Sequence, residues 1–520
     1  MAELAVRTEG PSGAPARSPG GVDFADLQGL VRFGHGRLTE ASFLLLKVAD
    51  ADAARAWLRE APVTSAVRTS PPPETALQVA FTSQGLQALG LPSAIVDAFS
   101  EEFVSGMAGE ASRSRRLGDV GANAPSEWRW GGSEETTPHL LVMLYARQDG
   151  LEPWRKTVEG KHWRRAFKVQ AVLPTFDMGE IEPFGFADGL SEPRLDWQQT
   201  LRLDGGDRLD YGNLLALGEF VLGYRNEYGL HTERPLLDPA TDFRAEGLPP
   251  AEDAPGWHDF GRNGTYLVFR QLHQDVRAFW QFVDRAAGGD SGRRWALAEA
   301  MVGRTQAGAP LAPLSPGVIA GVGPGVEDVE ANQFTYASDP DGTSCPFGAH
   351  IRRANPRTAD LPGGDAQSLW SRLLRMLGLK RTSFREDLVA PARFHRLARR
   401  GREYGTFLDT EDALRPGPAD EERGLHFICL VANISRQFEF VQNAWMEGTK
   451  FNGLTEEGDP LIGNREPLPG CRFTDRFTMP QADGPARPLA GLPRFVTVRG
   501  GAYFFLPGLR ALRYIAGATP

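Results

Sequence analysis

Apolar residues in this chain come in short continuous runs, each followed by a stretch with helical spacing. Ala41-Ser42-Phe43-Leu44-Leu45-Leu46-Lys47-Val48 predicts a strand and Ala51–Glu60 a helix. The pair repeats at Ala76–Phe81, which leads into the helical pattern of Ser83–Leu89, and a further strand is predicted over His139–Ala146. Strands and helices in this order and at wide spacing suggest a split βαβ, ferredoxin-like unit rather than a long doubly wound sheet. The same grammar returns later: a strand at Thr265–Leu272, a helix at Val276–Val283, a strand at Gly424–Ile434 and a helix at Arg436–Glu447. Phe495–Val498, Gly500-Gly501 and Tyr503–Leu506 predict a closing hairpin.

Between these two blocks, Glu233–Pro255 is rich in Pro, Asp and Glu and reads as loop, a natural boundary. The expected division is therefore a unit over residues 23–240 and a second over 255–520, each α+β with an antiparallel sheet. Residues 1–22, rich in Gly, Pro, Ser and Ala, are expected to form a disordered tail. Gly317–Gly325 invites comparison with a phosphate loop, but it has neither the Lys-Ser/Thr of a P-loop nor GxGxxG spacing, and a structural loop is the better reading.

Composition narrows the function classes. With 41% hydrophobic and 24% charged residues the chain is of ordinary globular type, and its formal charge of −9 argues against nucleic acid or an anionic membrane as general partner. Three scattered cysteines, Cys345, Cys429 and Cys471, suit a reducing compartment and make no disulfide framework. The opening residues lack the apolar core and cleavage region of an export signal, and no apolar run is long enough to cross a bilayer, so the expectation is a cytoplasmic protein.

The stretch Cys345-Pro346-Phe347-Gly348-Ala349-His350-Ile351-Arg352-Arg353-Ala354-Asn355-Pro356-Arg357 carries the candidate chemistry. One histidine lies between a Gly/Pro-punctuated approach and a cationic exit, a setting for a ligand that combines a metal with negative charge. A lone histidine is more often structural than ligating. GAHIRRANPR, however, resembles the proximal-histidine motif of the dye-decolourising peroxidases, and Gly185-Phe186-Ala187-Asp188-Gly189 resembles their GxxDG motif, in the same order. QGLVRFGHGR, RRLGDVGANAPSEWRWG, GTYLVFRQLHQDV, QFEFVQNAW and FVTVRGGAYFFLPGL extend the resemblance from about Asp23 to about Gly517. The long segments point to the larger bacterial and fungal subgroups.

The resemblance implies two ferredoxin-like units in a dimeric α+β barrel fold, with haem b held non-covalently, as the absence of CxxCH also suggests. It implies His350 as the axial ligand of the haem iron. It implies Asp188 as the distal group that moves a proton between the oxygens of hydrogen peroxide, and Arg399, five residues before Tyr404-Gly405, as the distal arginine. Arg396 and Arg400 compete for that last role. Arg357 matches a haem-propionate contact, and Leu425 and Phe427, on one strand face by period two, match the apolar pair that narrows the distal pocket. Glu439 is the expected acceptor behind His350. Relatives carry a histidine-containing KEHFGFxDG approach where this chain has Ile181-Glu182-Pro183-Phe184-Gly185, which leaves Asp188 in place and removes two basic groups.

The implied activity is one-electron oxidation of organic donors, dyes and phenolic compounds, by hydrogen peroxide. Bulky donors would pass electrons through surface residues among the 11 Trp and 9 Tyr. The resemblance leaves room for an oligomer. Two other readings stay open: a haem-handling or iron-releasing protein with incidental peroxidase activity, and a ferredoxin-like protein without cofactor in which His350 only packs.

Overall fold

The computed structural model describes residues 6–7, 21–179, 181–203, 211–314, 332, 334–357, 391–417, 421–468 and 470–517. Within them the apolar runs become a nine-stranded sheet. Its strands in chain order are β1 (Glu40–Val48), β2 (Thr75–Phe81), β3 (Leu140–Ala146), β4 (Phe167–Pro174), β5 (Thr265–Gln274), β6 (Ala398–Arg399), β7 (Arg402–Tyr404), β8 (Gly424–Val431) and β9 (Val496–Leu506). They lie in the order β6-β8-β5-β9-β2-β3-β1-β4, with β7 also on β8, and every pairing is antiparallel.

This order explains the repeated grammar. In the first half, β2-β3-β1-β4 with α1 (Ala51–Glu60) after β1 and α2 (Leu151–Glu159) after β3 is the split βαβ arrangement. The second half repeats it. β6 and β7 share one register on β8 and act as an interrupted edge strand, followed inward by β8, β5 and β9. α3 (Val276–Ala287) and α4 (Ser291–Val302) follow β5. The α+β class with antiparallel sheets is thus borne out. The halves join where Phe505 of β9 pairs with Phe81 of β2.

No ladder among the described residues closes the sheet into a barrel. The two ends still approach each other: the Phe176 N–H donates to the Glu403 carbonyl at 2.8 Å. The curl buries one face of both halves in a shared core, in which Phe43 of β1 meets Phe269 of β5 edge-on at 5.9 Å. The opposite face is covered by helices, with Trp57 and Leu58 of α1 packed over the first half. Alternation decides these assignments residue by residue, since Leu44 and Leu46 face the helices while Phe43 and Leu45 face the shared core.

The expected strands and helices form with ends shifted by a few residues, with two exceptions. The closing hairpin is instead one continuous strand, β9. Gln271 pairs with Gly500 and Leu272 with Val498, so Arg499 is the extra residue of a bulge, which bends the strand without reversing it. The helix after β8 is built from π-type turns over Ser435–Glu439 and Val441–Met446. Of the expected tail, Val6–Arg7 pair with Leu236–Leu237, and residues 1–5 and 8–20 lie outside the described set, as does the loop at 317–325. No described helix is long and apolar enough to cross a membrane.

Candidate active site

His350 is the first residue of a short helix, α5 (His350–Ala354). Its Nδ1 lies 2.9 Å from Oδ2 of Asp459, a side chain with no solvent exposure. Asp459 is itself fixed, because its Oδ1 accepts from the backbone N–H groups of Leu461 and Ile462, each at 2.9 Å. Burial alone would raise the Asp459 pKa. The charge and hydrogen bond of His350, the Ile462 N–H and Arg353 outweigh burial and hold it below the usual carboxylate range. Burial would lower the His350 pKa, but the charge and hydrogen bond of Asp459 raise it above 6.5; with Nδ1–H held by the carboxylate, Nε2 is the nitrogen a metal would take in place of its proton.

Glu439 is therefore not the acceptor behind His350. It pairs with Arg113 at 2.9 Å and accepts from the Tyr503 hydroxyl at 2.9 Å, inside the core under β9. The cationic exit also divides differently from expectation. Arg352 turns inward to Asp339 and the Cys345 carbonyl, and Arg353 to the carbonyls of Trp445 and Glu457, so both brace the histidine segment.

Across from this pair lies the loop carrying Asp188. Gly185 and Gly189 have φ of +95° and +77°, a backbone region that favours glycine and explains both glycines of the motif. Phe184 and Phe186 anchor the loop in the core of α3 and α4, with Phe184 against Phe279 and Phe186 stacked on Trp280. Glu182 ties it further by accepting the N–H groups of Phe184 and Phe186 and the Gln274 amide. Burial pushes the Glu182 carboxyl up to about 7.

Asp188 Oδ1 receives a hydrogen bond from Arg399 at 2.6 Å. Arg399 stands on β6 opposite Cys429 of β8, which places its side chain on the sheet face shared by Leu425 and Phe427. Both apolar residues are half-buried. Arg400 is turned away to the carbonyls of Leu30 and Val31, and Arg396 to the Tyr211 hydroxyl and Asn213. Of the three arginines only Arg399 reaches Asp188. Arg399 is also held by Glu192, whose Oε1 accepts from its Nε at 2.9 Å.

The two pairs look onto one hollow. The His350 imidazole couples electrostatically to both Asp188 and Arg399. All three are ringed by protein, yet 28% of the His350 side chain and 33% of each of the others stay accessible. A second feature is a recess of buried positive charge: Arg304, Arg357 and Arg396 converge around Tyr211. Among the described residues none of the three is ion-paired to a carboxylate; Arg357 donates to the carbonyls of Asn332 and Phe334 at 2.7 and 2.9 Å, and its Nε has no partner there. Burial raises the Tyr211 phenol, but Arg396 and Arg357 overcome it and bring the group down to about 8. Such a concentration of desolvated cations favours an anionic ligand. A free imidazole nitrogen together with a cationic recess is a donor set that fits a metal carried in an acidic macrocycle.

Asp459, Glu192 and Tyr211 were not singled out by sequence reasoning. Asp459 is 109 positions from His350, and only its Asp-Pro turn signature marks it locally.

No family model matches the chain. It is 27% identical, over an alignment of 532 residues, to peroxidase 2 of Mycetinis scorodonius, covering 95% of this chain and 87% of that protein. A dye-decolorizing peroxidase of Exidia glandulosa is 29% identical over 474 residues, covering 87% and 78%. A multifunctional dye peroxidase of an Amycolatopsis species is 28% identical over 459 residues, covering 84% and 81%. Among solved structures, a fungal DyP-type peroxidase of Auricularia auricula-judae superposes with a TM-score of 0.70 at 24% identity, covering 96% of this chain and 100% of that one. A dye-decolorizing peroxidase in complex with 2,6-dimethoxyphenol does so with a TM-score of 0.69 at 23% identity, covering 95% and 100%. The solved structures establish the shared fold.

Proposed function

The chain groups with the dye-decolourising peroxidases in sequence and in fold, and from that premise we propose a non-covalent haem b peroxidase in which His350, Asp188 and Arg399 do the work. The enzyme uses hydrogen peroxide to oxidise organic donors. The observation that carries the site is the Asp188–Arg399 pair, 2.6 Å apart, facing the same hollow as a histidine whose Nδ1 is held by a buried aspartate.

His350 Nε2 would bind the haem iron, with Asp459 raising the basicity of the ring. Arg357, with Arg396 beside it, would receive the carboxylates of the macrocycle. Bound haem would supply the iron at which peroxide is reduced and would hold the two oxidising equivalents until donors return the electrons.

The protein's own share is proton and charge management. Asp188, kept ionised by Arg399, would take a proton from one peroxide oxygen and return it to the other, so that cleavage of the O–O bond releases the second oxygen as water. Arg399 offers fixed donors to the charge that develops on the departing oxygen. Leu425 and Phe427 narrow the approach, which admits peroxide and keeps large donors outside, so that aromatic and phenolic donors are oxidised at the margin of the pocket or through surface Trp and Tyr. In this reading the unit 23–240 supplies Asp188 and the unit 255–520 supplies His350 and Arg399.

The test mixes haem-loaded protein with one equivalent of hydrogen peroxide in a stopped-flow spectrometer. A rapid change in the haem spectrum is expected, slowed at least about tenfold, or about 1.4 kcal/mol of barrier, in Asp188→Ala and Arg399→Leu. His350→Ala should lose its haem. An unchanged spectrum in the parent would instead favour a haem-handling role.

A further inference from the structure

Arg399 sits on a two-residue strand at the edge of the sheet, and its side chain has a long, flexible stem. A guanidinium that must meet charge developing at one point needs to be held in one orientation. Asp188 is poorly suited to hold it, since a group that takes up and releases a proton changes its own hydrogen bonds in each cycle.

Glu192 supplies the fixed grip. Its Oε1 accepts from Arg399 Nε and its Oε2 from the backbone N–H of the same residue, both at 2.9 Å. One carboxylate therefore ties the main chain and the side chain of Arg399 together. Oε2 lies 3.5 Å from an Arg400 guanidinium nitrogen as well. Glu192 is in turn anchored, because its own carbonyl accepts from the Asn213 amide at 2.9 Å. It comes four residues after Asp188, so a single loop grips Arg399 from two sides. With Nε committed to Glu192, the terminal nitrogens are the ones available to Asp188 and to a ligand in the hollow.

We infer that Glu192 is a positioning residue for peroxide cleavage, acting through Arg399 by fixing the plane and the direction of its guanidinium. The inference rests on the role given to Arg399 above. Without the Glu192 carboxylate the guanidinium is free to turn and chelate Asp188 with two nitrogens, which withdraws its donors from the hollow and ties up the proton carrier.

The test compares the haem-loaded parent with Glu192→Ala, Glu192→Gln and Arg399→Leu. The first readout is the dissociation constant of fluoride for the ferric haem, followed by absorption, since a small anion at the iron accepts hydrogen bonds from a well-placed distal donor. The second is the split between the second-order constant for peroxide and the turnover at saturating peroxide with limiting donor. Glu192→Ala should weaken fluoride and lower the peroxide constant, each by about tenfold, with donor-limited turnover unchanged. Glu192→Gln preserves size and one acceptor oxygen, and should recover part of both losses. Losses in Arg399→Leu with parental behaviour in Glu192→Ala and Glu192→Gln would overturn the positioning role and leave the peroxidase reading standing. Parental fluoride binding and peroxide reactivity in Arg399→Leu would overturn the role of Arg399 and the inference with it.

Discussion

Asp188 keeps its charge against its surroundings. Burial is the largest single influence and would raise its pKa, but Arg399, the Gly189 N–H and His350 together bring it below the ordinary 3.8. A depressed pKa keeps the proton-accepting form to lower pH than an ordinary carboxylate does, so the acid limb of the peroxide reaction should lie below the usual carboxylate range. Arg399→Leu removes the main offset to burial, and the acid limb should move to higher pH. The pH dependence of the spectral change, measured within that variant, checks the sign, and an unmoved limb would contradict it. On the other side of the hollow, Asp459 fixes the tautomer of His350. Asp459→Asn keeps the shape but not the charge, and should weaken haem retention by about 10- to 100-fold, measured as haem transfer to an apomyoglobin scavenger.

At the scale of elements, the bulge of β9 is set by a close approach. A Cβ placed on Gly500 would lie 2.5 Å from the indole of Trp130, whose Nε1 donates to Gln271 on the neighbouring strand at 2.9 Å. Gly500→Ala should therefore displace Trp130 and cost about 1–3 kcal/mol, read as a lower thermal midpoint with the haem spectrum retained. The same bulge shows where the sequence was silent. A Gly-Gly pair between two apolar runs is a turn signal by local chemistry, and only the tertiary neighbour Trp130 turns it into a close contact within one strand. The strands and helices themselves were legible, because burial on one face leaves a period in the sequence, as Phe43 and Leu45 against Leu44 and Leu46 show. At the site, His350, Asp188 and Arg399 were legible through motifs with fixed local spacing. Asp459 and Glu192 were not, because each finds its partner through a loop whose path no local pattern encodes.

Among the described residues the main sheet is shared by two halves of the same strand order. Phe43 and Phe269 meet in the core between them, and the amide of Asn263 and the backbone of Leu509 and Arg510 converge on Asp26. Separating the halves would expose that core. The full chain should unfold in a single transition, with far-UV circular dichroism and tryptophan fluorescence coincident, and a fragment of residues 255–520 alone should show no cooperative transition. Asp188 and Arg399 stand 211 positions apart in the chain. That contact closes a long loop, so the pair is expected to form late in assembly. Such an arrangement would act as an interlock: a chain in which the pair has not closed would lack the proposed oxidising chemistry. In refolding from denaturant with haem present, peroxide reactivity should accordingly trail the recovery of tryptophan fluorescence.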